Sequence, residues 1–293
     1  MLEQDHRRLL DDRAWRPERV AEAAAARRRR PLRNGRGQLL IIAADHPARG
    51  SLGVAGRPLA MRSRIDLLDR LMTALARPGV DGLLATADVV EDLLLLGALH
   101  DKIVIGSMNR GGVHGSVFEF DDRFTAYDAD SIAAMGLDGG KMLCRIALDD
   151  AATAATLAGC GHAVTRLAGH GLMAMIEPFW SGRLEGVVRH DLSPEAMIHA
   201  ISVGQGLGAT SARTWLKIPV VPDMERVVES TTLPVVLLGG DTGGASGEVF
   251  DAWSKALRLP GVRGLVAGRA LLYPPGGDVT AAVDTALSLL EAT

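Results

Sequence analysis

Lysine stands at only four positions in this chain of 293 residues, 102, 141, 217 and 255, and every other permanently charged basic side chain is arginine. Arginine supplies charge but forms no imine and is never usefully deprotonated, so each retained lysine is informative. Lys141 lies in GGKMLCRI and Lys217 in RTWLKIPVV, both apolar runs of strand length. An amine enclosed by such runs is desolvated, which favours its neutral form, moves its pKa toward the working pH and equips it to attack a carbonyl. A second ammonium nearby acts in the same direction. Lys217 is therefore expected to be a nucleophile, with Lys141 as the second cation and a stabiliser of developing negative charge. The competing reading is an interior ion pair of either lysine with Glu177 that only fills space.

Asp45, Asp88, Glu177 and Asp241 each close an apolar run. Forming and dehydrating a carbinolamine and then cleaving a carbon–carbon bond each move a proton, so a carboxylate must reach the imine. Glu177 is expected in that role and Asp45 beside it, orienting hydroxyls. Asp88 serves equally well as a helix cap. Two glycine-rich stretches follow the last apolar runs, GGDTGGASG from Gly239 and AGRALL around Gly268. Gly239, Gly240, Asp241, Gly268 and Arg269 are expected to bind phosphate through backbone N–H groups and a guanidinium fork, the alternative being tight turns alone. His46 and Asn109 are placed near substrate hydroxyls. Of the other histidines, His6, His100, His162, His170, His190 and His199 fall in helices or connections, which leaves only His114 beside His46 near a strand top. Two unpaired histidines do not make a metal site, and neither a metal nor an organic cofactor is expected.

The elements that must carry these residues are legible as an alternation. Eight short apolar runs, LLIIAAD, VDGLLATAD, KIVIGSMN, GGKMLCRI, GLMAMIEP, RTWLKIPVV, PVVLLGGD and VRGLVAG, alternate with segments of helical length. Eight such units in a chain of this size predict a closed (β/α)8 TIM barrel over residues 38–293. No GxGxxG follows the first run, against a dinucleotide-binding sheet. Residues 1–37 form a helical extension, with one helix over 5–30, and the long loop 109–130 shapes access to the site. The run Arg27–Arg30 reads as a solvated helix end or an oligomer contact in preference to a phosphate-binding patch. A net charge of −3 gives no field for nucleic acid, and the two cysteines fit neither a disulfide framework nor a zinc cluster. The apolar stretches are far shorter than the roughly 20 residues that span a bilayer. A cytoplasmic homo-oligomer acting on a small anionic metabolite is the resulting expectation.

The segment IIAADHPARGSLG resembles the first strand of archaeal-type class I fructose-bisphosphate aldolases. WLKIPVV followed by TTLPVVLLGGD resembles the Schiff-base strand and its successor in that superfamily, which includes deoxyribose-phosphate, tagatose-bisphosphate and sulfofructose-phosphate aldolases. Lys141, Glu177 and Lys217 on successive strands are most similar to the last two branches. The likeness covers residues 39–272. It implies that Lys217 forms the imine and that Lys141 and Glu177 assist, in reversible cleavage of a phosphorylated ketose. The tyrosine that archaeal enzymes carry on the fourth strand as general acid has no counterpart around Lys141. The chain also resembles an actinobacterial group of barrel proteins, some associated with inositol breakdown, which implies a phosphorylated keto-sugar acid. Alternatives are another Schiff-base reaction, such as transaldol transfer or dehydration, and a catalytically silent sugar-phosphate-binding barrel.

Overall fold

The computed structural model describes residues 3–33, 35–109, 112–239 and 246–291. The extension begins with two helices, α1 (Glu3–Trp15) and α2 (Arg19–Ala26), where the sequence predicts one. Pro17 causes the break, since it lacks an N–H and disfavours a helical conformation in the residue before it. The chain leaves α2 at Arg27 with φ −64° and ψ 122°, so the four arginines lie on extended backbone and form no helix end. Each has a partner beneath the barrel. Arg27, buried, donates to the carbonyls of Lys102 and Gly136 and pairs with Asp138. Arg28 pairs with Asp101, Arg29 with Asp138 at 2.9 Å and Arg30 with Asp81 at 2.9 Å. The carboxylates of Asp81 and Asp138 also accept the backbone N–H groups of Leu40 and Val104, which ties this belt to the strands above.

Eight strands form the wall: β1 (Leu39–Ala43), β2 (Gly82–Ala85), β3 (Ile103–Ser107), β4 (Gly139–Ile146), β5 (Met173–Leu184), β7 (Thr214–Ile218), β8 (Val235–Leu238) and β9 (Val262–Ala267). All neighbours are parallel, and the β1–β9 and β4–β5 pairings close the ring. Strand periodicity divides the apolar side chains into two cores. Leu40, Ile42, Met142, Ile176 and Leu237 point outward and join the inner faces of the helices. Leu39, Ile41, Ile105, Met175, Val236 and Val266 fill the barrel, packed by Leu32 from the extension and by Trp215. At Gly264, with φ +128°, a Cβ would fall 2.0 Å from the Leu39 carbonyl oxygen, so the β1–β9 seam requires glycine there.

Helices α3 (Arg64–Leu75), α4 (Ala87–Leu95), α5 (Ala129–Ala134), α6 (Ala152–Gly169), α7 (Pro194–Gln205), α8 (Met224–Glu229), α9 (Ser246–Ala256), α10 (Arg269–Leu272) and α11 (Val279–Glu291) surround the wall. Ser63 caps α3, and Ser193, followed by Pro194, caps α7, which fixes where each helix turns back along the sheet. One strand is absent from the sequence prediction. β5 continues past the rim and returns as β6 (Val187–His190), antiparallel to it from Leu184↔Val187 to Ser181↔His190. Glu185 and Gly186 make the turn with φ 54° and 79°, the two positive values that a tight hairpin of right-handed twist demands. Among the described residues no helix is long and apolar enough to cross a membrane.

Candidate active site

At the carboxyl ends of the strands the inward positions change from apolar to ionic. Continuing the alternation Leu39, Ile41, Ala43 brings Asp45 into the barrel, and Met173, Met175 brings Glu177. Lys141 is in register with Ser107 on β3, and the pairing Ile176↔Leu216 sets Glu177 alongside Lys217. The four side chains form one chain of contacts. Asp45 accepts from Ser107 Oγ at 3.0 Å and from Lys141 Nζ at 3.2 Å. Lys141 Nζ also pairs with Glu177 Oε2, and Lys217 Nζ donates to Glu177 Oε1. Lys141 and Asp45 are 1% exposed, Lys217 3% and Glu177 7%.

Two cations and two carboxylates cancel, and this makes burial of the whole cluster tolerable. Burial alone would raise the Glu177 pKa and Asp45 pushes the same way, but the ammonium groups of Lys141 and Lys217 outweigh both and hold it well below the usual carboxylate range. The expected second cation is present. In addition a carboxylate joins the two amines, in direct contact with both.

The cluster does not end in packed core. It forms the floor of a cavity of about 980 Å³ that opens at the carboxyl end of the barrel, where barrel active sites are built. Arg49 and Arg57, from the loop after β1, and Arg269 line one side, while Val188, Arg189 and His190 of β6 line the other. With Lys141 and Lys217, the permanent cations of the wall are six, against the three carboxylates Asp45, Glu119 and Glu177. Such a surplus in a concave site favours an anionic ligand.

His46, Gly239, Gly268 and Arg269 line this cavity. A Cβ at Gly268 would lie 2.3 Å from the Ala43 carbonyl oxygen and 3.0 Å from His46 Cε1, so glycine permits the close approach of this loop to β1. Gly240 and Asp241 lie outside the described residues. Asn109 is placed differently from the expectation. It is fully buried, its Oδ1 accepts from Leu143 N at 2.7 Å, and its Nδ2 donates to Leu143 O at 2.6 Å. With both ends of the amide engaged it clamps β3 to β4 and does not line the cavity. Asp88 sits in the first turn of α4 with Thr86 and Arg64, which is the helix-start alternative.

Sequence reasoning does not single out Arg49, Arg57, Ser107, Phe179 or His190. Arg49 was accessible to it, since HPAR directly follows the first strand. The long loop is also anchored from within. Arg145 on β4, wholly buried, donates to Asp122 at 2.6 and 2.7 Å and to the Glu119 carbonyl, holding Glu119 at the rim. Among the described residues no group of three or more His, Cys, Asp or Glu is placed to hold a metal ion.

No curated protein matches this chain. The structure of Cgl0159 from Corynebacterium glutamicum (Brevibacterium flavum) is similar with a TM-score of 0.97 and 50% identity, over 100% of this chain and 98% of that one. A Schiff base-forming fructose-1,6-bisphosphate aldolase is similar at TM-score 0.66 and 17% identity, over 92% of this chain and 99% of that one. An archaeal fructose 1,6-bisphosphate aldolase follows at 0.64 and 16%, over 94% and 100%. At these identities the two aldolases share the (β/α)8 fold with this chain. The model of Cgl0159-like proteins matches residues 37–287, and the chain belongs to that family.

Proposed function

We propose that this protein is a class I aldolase that reversibly cleaves a phosphorylated ketose or keto-sugar acid through an imine on Lys217. The observation that carries this reading is the Glu177 carboxylate held between Lys217 and Lys141 on the floor of a cation-rich cavity. The fold shared with Schiff base-forming aldolases supports it.

In this reading Lys217 passes a proton to Glu177, and the freed amine adds to the substrate ketone. The added nitrogen gives one proton to the carbinolamine oxygen and Glu177 returns the other, so that oxygen departs as water and leaves the iminium ion. Lys141 stays charged and steadies the oxygen while it carries negative charge. The carbon–carbon bond then breaks, its electrons moving to the iminium nitrogen to give an enamine, and the other fragment leaves as an aldehyde. Protonation of the enamine carbon and addition of water release the second product. Asp45, fixed by Ser107 and Lys141, is placed to orient a substrate hydroxyl. Arg269, Arg49 and Arg57, with the loops at Gly239 and Gly268, form the anion-binding wall.

The test is chemical. Sodium borohydride added with dihydroxyacetone phosphate, and separately with a phosphorylated keto-acid, reduces the imine and adds the ligand mass to the peptide containing Lys217. An unlabelled Lys217 peptide with both ligands overturns the reading.

A further inference from the structure

The mechanism above leaves one proton without a carrier: the hydroxyl proton on the carbon that becomes the aldehyde. Lys141 and Glu177 lie at the imine nitrogen and carbinolamine oxygen. Neither tyrosine of the chain, Tyr127 or Tyr273, lines the cavity. The hairpin that extends β5 brings a different group over the floor.

Phe179 lies two residues beyond Glu177 on the same face of β5, a rise of about 7 Å. The imidazole of His190 stacks on the Phe179 ring, with centroids 4.2 Å apart and planes inclined by 20°. His190 is the cross-strand partner of Ser181, and its Nδ1 lies 2.8 Å from Ser181 Oγ. With the Ser181 hydroxyl proton directed to the Phe179 carbonyl, at 3.5 Å, the tautomer that fits is the one in which Oγ accepts from Nδ1–H. Nε2 then presents a lone pair, and the ring lines the cavity one layer above Glu177. The charged groups acting on the ring are Arg145 from β4, Arg49 from the loop after β1, Glu177 from β5 and Glu119 from the long loop. Burial, aided by the two arginines and opposed by the two glutamates, depresses its pKa to about 4, so the ring is neutral near pH 7.

Resting on the aldolase reading, we propose that His190 is the catalytic group that takes the hydroxyl proton at the cleaved bond and returns it to the enamine carbon. The step balances within the site. The O–H proton passes to Nε2 as the carbon–carbon bond breaks and its electron pair moves to the iminium nitrogen. The imidazolium then gives the same proton to the enamine carbon. The resulting iminium is hydrolysed by water, and His190 ends as it began.

Run in reverse, the last proton transfer exchanges a carbon-bound hydrogen of dihydroxyacetone phosphate with solvent, which can be followed by NMR in deuterium oxide. His190→Gln is expected to keep the borohydride adduct on Lys217 while exchange falls about a hundredfold or more, the scale of a lost acid–base group. Exchange at the wild-type rate in His190→Gln overturns the assignment. If His190→Gln loses the adduct as well, His190→Asn, whose amide keeps the Ser181 contact, decides: adduct without exchange supports the assignment, and loss of both overturns it. Absence of the adduct in the wild-type protein removes the aldolase reading, and this assignment with it.

Discussion

The two ends of the barrel are built from the same kinds of residue and do opposite things. Beneath the strands, arginines 27–30 and 36 meet Asp81, Asp101 and Asp138, which precede β2, β3 and β4 or the loops leading to them. Above the strands, Lys141 and Lys217 meet Asp45 and Glu177. At the lower end the guanidinium groups fork across carboxylates and, at Arg27 and Arg36, carbonyls, and Leu32 packs into the barrel. At the upper end the cations are amines, one carboxylate is divided between two of them, and the cluster faces a cavity. Ion pairs alone therefore do not mark a site. Reactivity needs a cation that can lose its proton, an acceptor already in contact with it, and room for a ligand.

This contrast can be broken most severely at residue 217. Lys217→Arg keeps the charge but cannot form an imine, so the borohydride adduct should vanish and turnover fall by at least about 10⁴-fold, the scale of losing a covalent nucleophile. An adduct on the variant would show that another amine reacts. Glu177→Gln removes the acceptor shared by two buried ammonium groups. Adduct formation should slow about 10²–10⁴-fold, and chemical denaturation should reveal a loss of about 3–5 kcal/mol, because the buried Lys217 loses its carboxylate and Lys141 keeps only Asp45.

Acid should reach the upper end in two stages. His190 has its pKa depressed from the ordinary 6.5 to about 4, so between these values the unfolded chain binds a proton that the folded one refuses. Stability from this group is fully present above pH 6.5 and declines as pH falls through that window. Glu177, depressed from 4.5, adds a loss below its ordinary value. Denaturation midpoints at pH 7 and pH 5 should differ less in His190→Asn than in the wild-type protein. The smallest effect belongs to the lower end. Arg29, half-exposed, bonds Asp138 while Arg27 still holds that carboxylate, so Arg29→Ala should cost under about 1 kcal/mol and leave adduct formation unchanged.

The wall of the barrel was legible because a strand buried on both faces is apolar throughout, and each of the eight runs became one. The period of two then puts Lys141, Glu177 and Lys217 on inner faces without any knowledge of distance. Asn109 misleads because strand-end amides bind substrates and clamp backbones equally well, and only the neighbouring strand's register decides between them. The β5–β6 hairpin escaped because its turn is Glu-Gly, with no Asn-Gly or Asp-Gly signal, and because Arg183, Glu185 and Arg189 break up its apolar residues. With it went His190, which sequence spacing assigns to a connection. The division of the first helix was readable, since Pro17 is plain in the sequence and its effect is local.

The hairpin has a mechanical corollary. β5 is continuous from the barrel's lower core to the turn at Glu185, and its pairing with β4 persists through Arg145↔Phe179 and Ile146↔Trp180. The base of the arm is thus part of the rigid wall, and swinging it aside would tear ladder bonds beside Glu177. Traffic of ligands must then be one-sided. Under the aldolase reading, substrate and product are expected to pass the loop that carries Arg49 and Arg57, with the arm opposite as a stop.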